Sequence, residues 1–406
     1  MTIFAVQYLE YTPDIVNLST EEACIRLKAA FDRLPISIVL IGWNLPLRLL
    51  EALANETIRH HARFYRWHPL LTGDGSFIPR REWQTVNLNL EPIAGFQGLP
   101  EFTFVCPNRQ EVQETVHDHV HEVIRGGLYQ GIFLDRIRYP SPSANPINYL
   151  TCFCDSCQDA AAKDGLDLIK VKHILLTISK NPQSLRVYLK ILLGDDKHLN
   201  DGEKIAPEEL EAISKYFDFR EYSIAHFVKN IADIAQSKGL AVGLDCFSPV
   251  LTRMVGQDLT LLDTCCEWIK VILYGHTLGP AGIPYELSNL IRWIKKQNIF
   301  QAKEIIEWMS KETGLLLPDT RIDLQNKGLS PETIVFEYKR AQSLVKNTLL
   351  PGIELVDIEG VTRLNRHQIM SDLTALHSAG AEGLVLSWDL RHIPYERLEL
   401  VGKIWG

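Results

Sequence analysis

The stretch on which the fold assignment rests is Gly131-Ile132-Phe133-Leu134-Asp135-Arg136-Ile137-Arg138-Tyr139-Pro140. It begins as an apolar run that ends in a carboxylate, the pattern of a strand buried on both faces. Because an unpaired buried carboxylate is costly, Asp135 either pairs with Arg136 or Arg138 or points into a cleft as a reactive group. Strand C-termini supply catalytic residues in parallel barrels, so the position of Asp135 favours the second interpretation.

Seven further apolar runs alternate with segments of helical periodicity. These runs are 3–8, 36–43, 62–67, 241–245, 268–274, 349–355 and 383–388. Helix ends stand between them: Ser19 and Glu22 form a capping box, Pro107 occupies a first helical position, and Gly126 ends that helix. Eight strand–helix repeats favour a closed (β/α)8 barrel, and the open doubly wound sheet is the alternative.

The extra residues are concentrated after strands. Long inserts cover 68–106, 140–220 and 275–329, whereas links from helix to strand are short. Loops that follow strands build the active-site face of a barrel. We therefore expect one barrel domain over 1–406, with a helical insertion after the fourth strand and long loops after the third and sixth. Within it, 141–220 forms an inserted lid or subdomain, with turns at 194–197 and 200–202.

Composition excludes several classes of protein. The chain has 406 residues, 46% hydrophobic, and its 42 Lys and Arg against 50 Asp and Glu give a net charge of −8. No basic block is present, so we expect neither a nucleic-acid nor a membrane partner. No secretory signal and no run of about 18–20 apolar residues is seen, which predicts a cytoplasmic protein. The sequence leaves the oligomeric state open.

A family resemblance is carried by the 131–140 stretch followed by Cys152, Cys154 and Cys157. Together they resemble loosely characterised glycoside-hydrolase-like (β/α)8 families, which carry a Gly-x-x-x-Asp-x-x-Arg-Tyr-Pro fourth strand. The segments 106–108, 352–354 and 386–389 are similar to those families as well. The resemblance implies a barrel and carbohydrate chemistry.

Glycoside cleavage needs two carboxyl groups, one to protonate the leaving oxygen and one to act as nucleophile or base. Strand ends offer Asp135, Asp245, Glu354 and Asp389. Many retaining barrel glycosidases place their carboxylates on strands four and seven, and by this fold-level analogy we predict Asp135 and Glu354 as the catalytic pair. Asp245 and Asp389 are the alternative partners and otherwise bind substrate. Glu354 in a salt bridge, or Asp389 paired with Arg391, would be structural.

Other side chains at the strand ends suit a glycan cleft. Aromatic rings stack on the C–H faces of sugars, although they also cap barrel ends. A histidine or an arginine can bond substrate hydroxyls. The predicted substrate-binding side chains of these types are Tyr8, Trp43, Tyr274, Trp388, His276 and Arg138.

The three clustered cysteines have two interpretations. Cys152, Cys154 and Cys157 could bind zinc, but a structural zinc site needs four ligands. No fourth ligand is evident, although Cys106 or a histidine could serve. The sequence favours packing of small buried thiols, and we expect no metal and no cofactor.

The function that the sequence favours is hydrolysis of a poly- or oligosaccharide by a pair of carboxylates at the C-terminal face of the barrel. The alternative is a non-catalytic carbohydrate-binding barrel. A metal-dependent hydrolase is disfavoured because the first strand ends in Val6-Gln7-Tyr8 and lacks a His-x-His pair.

Overall fold

Eight parallel strands form a closed barrel in which each strand pairs with its neighbour in sequence and the last pairs with the first. The structure is a computed structural model that describes residues 2–10, 12, 15, 17–74, 77–194, 205–301 and 304–405. The strands are β1 (Ile3–Tyr8), β2 (Ile36–Ile41), β3 (Arg63–Pro69), β4 (Gly131–Asp135), β5 (Ala241–Cys246), β6 (Trp268–Ile272), β7 (Thr348–Glu354) and β8 (Gly383–Ser387). The barrel prediction is confirmed, and every predicted strand end lies within two residues of the observed one.

Helices surround the barrel and fill the insertions. They are α1 (Thr20–Phe31), α2 (Leu47–Arg59), α3 (Gln110–Ile124), α4 (Asp155–Lys163), α5 (Leu168–Ile178), α6 (Pro182–Leu192), α7 (Pro207–Ser237), α8 (Pro249–Val255), α9 (Leu259–Asp263), α10 (Ile283–Lys296), α11 (Glu304–Thr313), α12 (Arg321–Lys327), α13 (Pro331–Leu344), α14 (Arg366–Ser378) and α15 (Tyr395–Trp405). Within the described ranges, no helix is both long and apolar enough to span a membrane.

Local sequence sets the helix ends. Ser19 accepts a hydrogen bond from the backbone N–H of Glu22, and the Glu22 carboxylate accepts one from the Ser19 N–H, so the predicted capping box is present. Pro107 does not begin a helix as predicted. The backbone is still extended at Arg109, the N-cap, and α3 therefore starts at Gln110.

The insertions follow strands, as predicted. Helices α4, α5 and α6 lie between β4 and α7, and both α5 and α6 pack against α7. Helix α7 has 31 residues and also packs against β5, which joins the insertion to the barrel wall. The segment after β6 is not a simple long loop, because α10, α11 and α12 lie within it. Except for Gly194, the predicted turns at 194–197 and 200–202 lie outside the described residues.

Large side chains fill the inside of the barrel, and glycines on neighbouring strands make room for them. Phe133 stacks on Trp268 with ring centroids 5.1 Å apart. A Cβ on Gly243 would lie 2.3 Å from the Trp268 ring, and one on Gly352 would lie 2.3 Å from the Lys270 side chain. Only glycine therefore allows Trp268 and Lys270 to occupy the barrel interior.

This packing makes Gly243→Ala a destabilising change. The added methyl group overlaps the Trp268 ring, and overpacking of this kind costs about 1–3 kcal/mol. Gly126→Ala is the matched control, because a Cβ at Gly126 meets nothing within 4 Å. Urea unfolding of both variants should show a lower free energy of unfolding for Gly243→Ala alone. Equal stabilities would contradict the packing described for the barrel interior.

Candidate functional site

A cavity of about 650 Å³ opens at the C-terminal ends of the strands. Its floor consists of strand-end residues from β1, β3, β4 and β5, namely Gln7, Trp67, Asp135 and Asp245. Its walls come from the loops after β3, β6 and β7. A second cavity of about 460 Å³ shares the lining residues Arg138 and Tyr285 with the first. The long loops therefore extend the barrel opening into a cleft.

Asp135 is the last residue of β4 and lies partly exposed in this cavity. Its Oδ2 accepts a hydrogen bond from the Trp67 indole N–H at 3.0 Å, and its Oδ1 accepts one from the Arg136 backbone N–H at 2.5 Å. The neighbouring guanidiniums bind other groups. Arg136 reaches Glu10 and the Glu101 carbonyl, while Arg138 binds the Tyr139 carbonyl. Asp135 is thus held by neutral donors, and the side-chain ion pair that the sequence left as the alternative is not formed with Arg136 or Arg138.

Glu10 is a second carboxyl group in the same cavity, and the sequence analysis missed it. It lies two residues beyond β1, and its Oε1 is 3.3 Å from the Arg136 guanidinium. Burial raises the pKa of Glu10 to about 7; the charge of Arg136 opposes this shift, and that of Asp135 adds to it. A carboxyl group whose pKa lies near neutral pH can both donate and accept a proton there, which suits it to acid–base chemistry. Its place just after a strand was the only signal in the sequence.

Lys270 lies at the base of the cavity, inside the barrel, and is fully buried. Its ammonium group donates to the Asp245 carboxylate at 3.0 Å, the Gln7 side-chain oxygen at 2.9 Å and the Tyr274 hydroxyl at 3.0 Å. These three acceptors satisfy all three N–H groups. Burial lowers the pKa of Lys270, but Asp245, Tyr274 and Asp135 together outweigh it and the net direction is upward. Lys270 therefore stays charged.

The two oxygens of Asp245 differ, because one is bonded and the other is buried without a partner among the described residues. Its Oδ2 binds Lys270, whereas Oδ1 has no hydrogen-bond partner among the described residues. Asp245 lines the cavity, as do the other predicted residues Tyr274, Trp388 and Arg138. The Tyr274 and Trp388 rings lie 6.0 Å apart, centroid to centroid. These four predicted residues are brought together with Asp135.

Glu354 and His276, by contrast, do not line the cavity that contains Asp135. Glu354 Oε1 accepts from the His276 backbone N–H at 2.7 Å, and burial raises the pKa of Glu354 to about 7. The His276 ring lies between the Asp372 carboxylate, at 2.9 Å, and the Lys327 carbonyl, at 3.2 Å. Both side chains hold together the loops after β6 and β7.

Three further predicted residues are not among those that line the cavity. Asp389 Oδ1 accepts from the backbone N–H groups of Leu9 and Arg391, at 3.0 and 2.9 Å. The Tyr8 hydroxyl donates to the Ala23 carbonyl of α1 at 2.8 Å. Trp43 packs edge-on against Trp67 inside the barrel, with ring centroids 5.2 Å apart. These contacts connect β8, α1 and β3 to their neighbours.

Two groups of side chains outside the cavity have ligand atoms close together. The first adds Cys106 to Cys152, Cys154 and Cys157, so the structure provides the fourth thiol that the sequence did not make evident. The second consists of His68, Asp74 and His119, where His119 Nε2 lies 2.7 Å from Asp74. Burial lowers the pKa of His68 to about 3, so this ring is neutral.

Comparison with known proteins finds similarity in structure but not in sequence. No family model matches the chain, and no curated protein matches it. The glycoside hydrolase domain of PgaB (BpsB) from Bordetella bronchiseptica is 13% identical, with a TM-score of 0.55 over 98% of each chain.

Two larger proteins are similar over the whole length of this chain. A β-galactosidase from the psychrophilic Marinomonas ef1 is 12% identical with a TM-score of 0.56, and the match covers 99% of this chain and 59% of that one. An α-L-fucosidase, isoenzyme 2 from Paenibacillus thiaminolyticus, is 13% identical with a TM-score of 0.52, covering 100% and 49%. At these identities the similarity establishes a shared barrel fold.

Proposed function

We propose that this protein is a glycoside hydrolase that cleaves a poly- or oligosaccharide in the cavity around Asp135. The observation that carries the proposal is that Asp135 and Glu10 lie, with Asp245 as a third carboxyl group, in one cleft at the C-terminal end of the barrel. Active sites of such barrels lie at this end. The barrel neighbours named above include a glycoside hydrolase domain, a β-galactosidase and a fucosidase, which agrees with the proposal.

The size and lining of the cleft suit a sugar chain. Its volume of about 650 Å³ falls within the range of about 300–1,000 Å³ that is usual for small-molecule sites. Trp67, Tyr274 and Trp388 supply aromatic surface, and the adjoining cavity of about 460 Å³ gives room for further sugar units.

The two carboxyl groups have different surroundings, and hydrolysis needs this difference. Asp135 accepts two hydrogen bonds, which hold its carboxyl group in position to act as nucleophile or base. Glu10, with its raised pKa, donates a proton to the glycosidic oxygen as the bond to the anomeric carbon breaks. Water then supplies the hydroxyl of the new reducing end and returns a proton to the enzyme.

This assignment replaces Glu354 with Glu10 as the partner of Asp135. Glu354 is bonded to the His276 backbone and lies outside the cavity lining, so a sugar bound beside Asp135 would not contact it. A proton donor must lie within hydrogen-bond reach of the leaving oxygen, directly or through one water. Glu10 lines the same cavity as Asp135, where the leaving oxygen of a bound sugar would lie.

The first test is incubation of the protein with a broad panel of poly- and oligosaccharides, followed by chromatography of the products. We expect Asp135→Asn to lower kcat on any cleaved substrate by at least about 10²-fold, because the amide cannot act as nucleophile or base. Binding of the same glycan should be retained. The control is Asp118→Asn on α3, whose side chain is 84% exposed.

Two outcomes of this test oppose the proposal. If glycans bind and the wild-type protein yields no product, the chain is the non-catalytic carbohydrate-binding barrel. If a substrate is cleaved equally by wild type and Asp135→Asn, hydrolysis takes place without Asp135.

The second test is the pH dependence of kcat/KM on a cleaved substrate. Glu10 has a raised pKa of about 7 and must be protonated to act as the acid. We therefore expect kcat/KM to fall as the pH rises through about 7. Glu10→Gln should lower kcat/KM and remove this decline, because the amide does not titrate.

Glu354→Gln is the matched comparison, since burial also raises the pKa of Glu354 to about 7. Retention of the decline in Glu354→Gln, together with its loss in Glu10→Gln, supports Glu10 as the acid. Both results are needed because burial also raises the pKa of Asp245, in the same cavity, to about 7. Loss of the decline in Glu354→Gln but not in Glu10→Gln would instead identify Glu354 as the acid and contradict our assignment.

A further inference from the structure

Four buried cysteines meet at one point where two loops come together. Cys106 lies just before α3, and Cys152, Cys154 and Cys157 come from the loop and first helical turn that open the insertion after β4. Their sulfur atoms all lie within 4.8 Å of one another. The Cys106 sulfur is 3.4 Å from that of Cys157 and 3.5 Å from that of Cys154.

These distances fit a single tetrahedral ion. Four thiolates bound to zinc at about 2.3 Å place their sulfur atoms about 3.8 Å apart. A disulfide bond would need a sulfur–sulfur distance of about 2.05 Å, and all four cysteines are free. Zinc and iron are the metals that use four thiolate ligands in this geometry.

Hydrogen-bond donors surround the sulfur atoms. The Val86 backbone N–H donates to the Cys152 sulfur at 3.4 Å, and the Asn108 side-chain amide donates to the Cys157 sulfur at 3.4 Å. The same Asn108 amide group also donates to the Ser223 hydroxyl at 3.0 Å, which fixes its orientation. Donors of this kind stabilise thiolates and are typical of the outer shell of a metal site.

A buried positive charge next to the four cysteines also favours a bound metal ion. Arg220 is fully buried, and its guanidinium donates to the carbonyl of Thr151, the residue before Cys152, at 2.6 Å. Its remaining bonds go to the carbonyls of Arg253 and Met254, and no carboxylate of the described residues pairs with it. A buried cation needs a compensating charge. Four thiolates around one divalent ion carry a net charge of −2 and supply it.

We propose that Cys106, Cys152, Cys154 and Cys157 bind one Zn²⁺ ion as a structural site. All four ligands come from the protein, so the ion has no open position for a substrate or a reactive water. Its effect is on the cleft, because the loop that ends at Cys106 supplies the cavity residues Phe96 and Phe102. Zinc would attach this wall to the insertion after β4.

The test begins with metal analysis by mass spectrometry of the protein purified under reducing conditions from zinc-containing medium. We expect about one zinc per chain in the wild type and near zero in Cys154→Ser. The control is Cys24→Ser on α1, which changes a half-buried cysteine outside the cluster and should keep its zinc.

A second measurement needs no variant and remains informative if Cys154→Ser fails to fold. Zinc is removed from the wild-type protein with a chelator, and Co²⁺ is then titrated in under reducing conditions. We expect the absorption bands of tetrahedral, thiolate-bound Co²⁺ to saturate at one equivalent. Re-addition of Zn²⁺ should abolish these bands. It should also raise the Tm above that of the metal-free protein, because an ion that binds the folded state stabilises it.

Three results would overturn the proposal. One is wild-type protein that contains no stoichiometric zinc and takes up no Co²⁺. Another is stoichiometric iron in place of zinc. The third is zinc that remains in Cys154→Ser at the wild-type ratio, which would locate the ion at other residues.

Discussion

A single buried cation organises the base of the cleft. Lys270 lies inside the barrel because Gly352 on the adjacent strand has no side chain. Its ammonium group joins Gln7 of β1, Asp245 of β5 and Tyr274 after β6. Gln7 also accepts from the Ser387 hydroxyl of β8 at 2.7 Å, so four strands converge on this network. Removing one partner of such a buried pair would leave an uncompensated charge.

This network also determines which parts of the cleft are available to a ligand. The Lys270 ammonium has three protein acceptors and no N–H group left for a substrate. Asp245 uses one oxygen for Lys270, and its other oxygen is buried without a partner among the described residues. The lysine therefore acts through its neighbours: it fixes the orientation of Asp245 and keeps the Tyr274 ring beside Trp388.

The sequence was sufficient to predict the barrel because the patterns that indicate this fold are local. Apolar runs, helix caps and short helix-to-strand links each constrain a few neighbouring residues, and eight repeats of them leave little choice of architecture. The site was predicted only in part. Asp135, Asp245, Tyr274, Trp388 and Arg138 line the cavity, whereas Glu354, His276, Asp389, Tyr8 and Trp43 make contacts elsewhere. A shift of one residue turns a strand side chain to the other face, and loops add freedom that periodicity does not constrain.

The roles of residues that the sequence analysis missed or left open depend on contacts between distant parts of the chain. Lys270 is a charged residue within an apolar strand, and its inward direction depends on glycine at position 352 of a distant strand. Cys106 is 46 residues from Cys152, so only the folded chain shows that it completes the cluster.

A raised pKa does not by itself identify a candidate catalytic acid, and the position of the carboxyl group in the cleft is needed as well. Burial raises the pKa of both Glu10 and Glu354 to about 7, so titration alone does not separate them. Glu354 is bonded to the His276 backbone amide and does not line the cavity that contains Asp135. Glu10 lies in the cleft against Arg136, whose backbone N–H also binds Asp135. One residue thus connects both carboxyl groups, and its guanidinium can stabilise the carboxylate that Glu10 becomes once it has given up its proton.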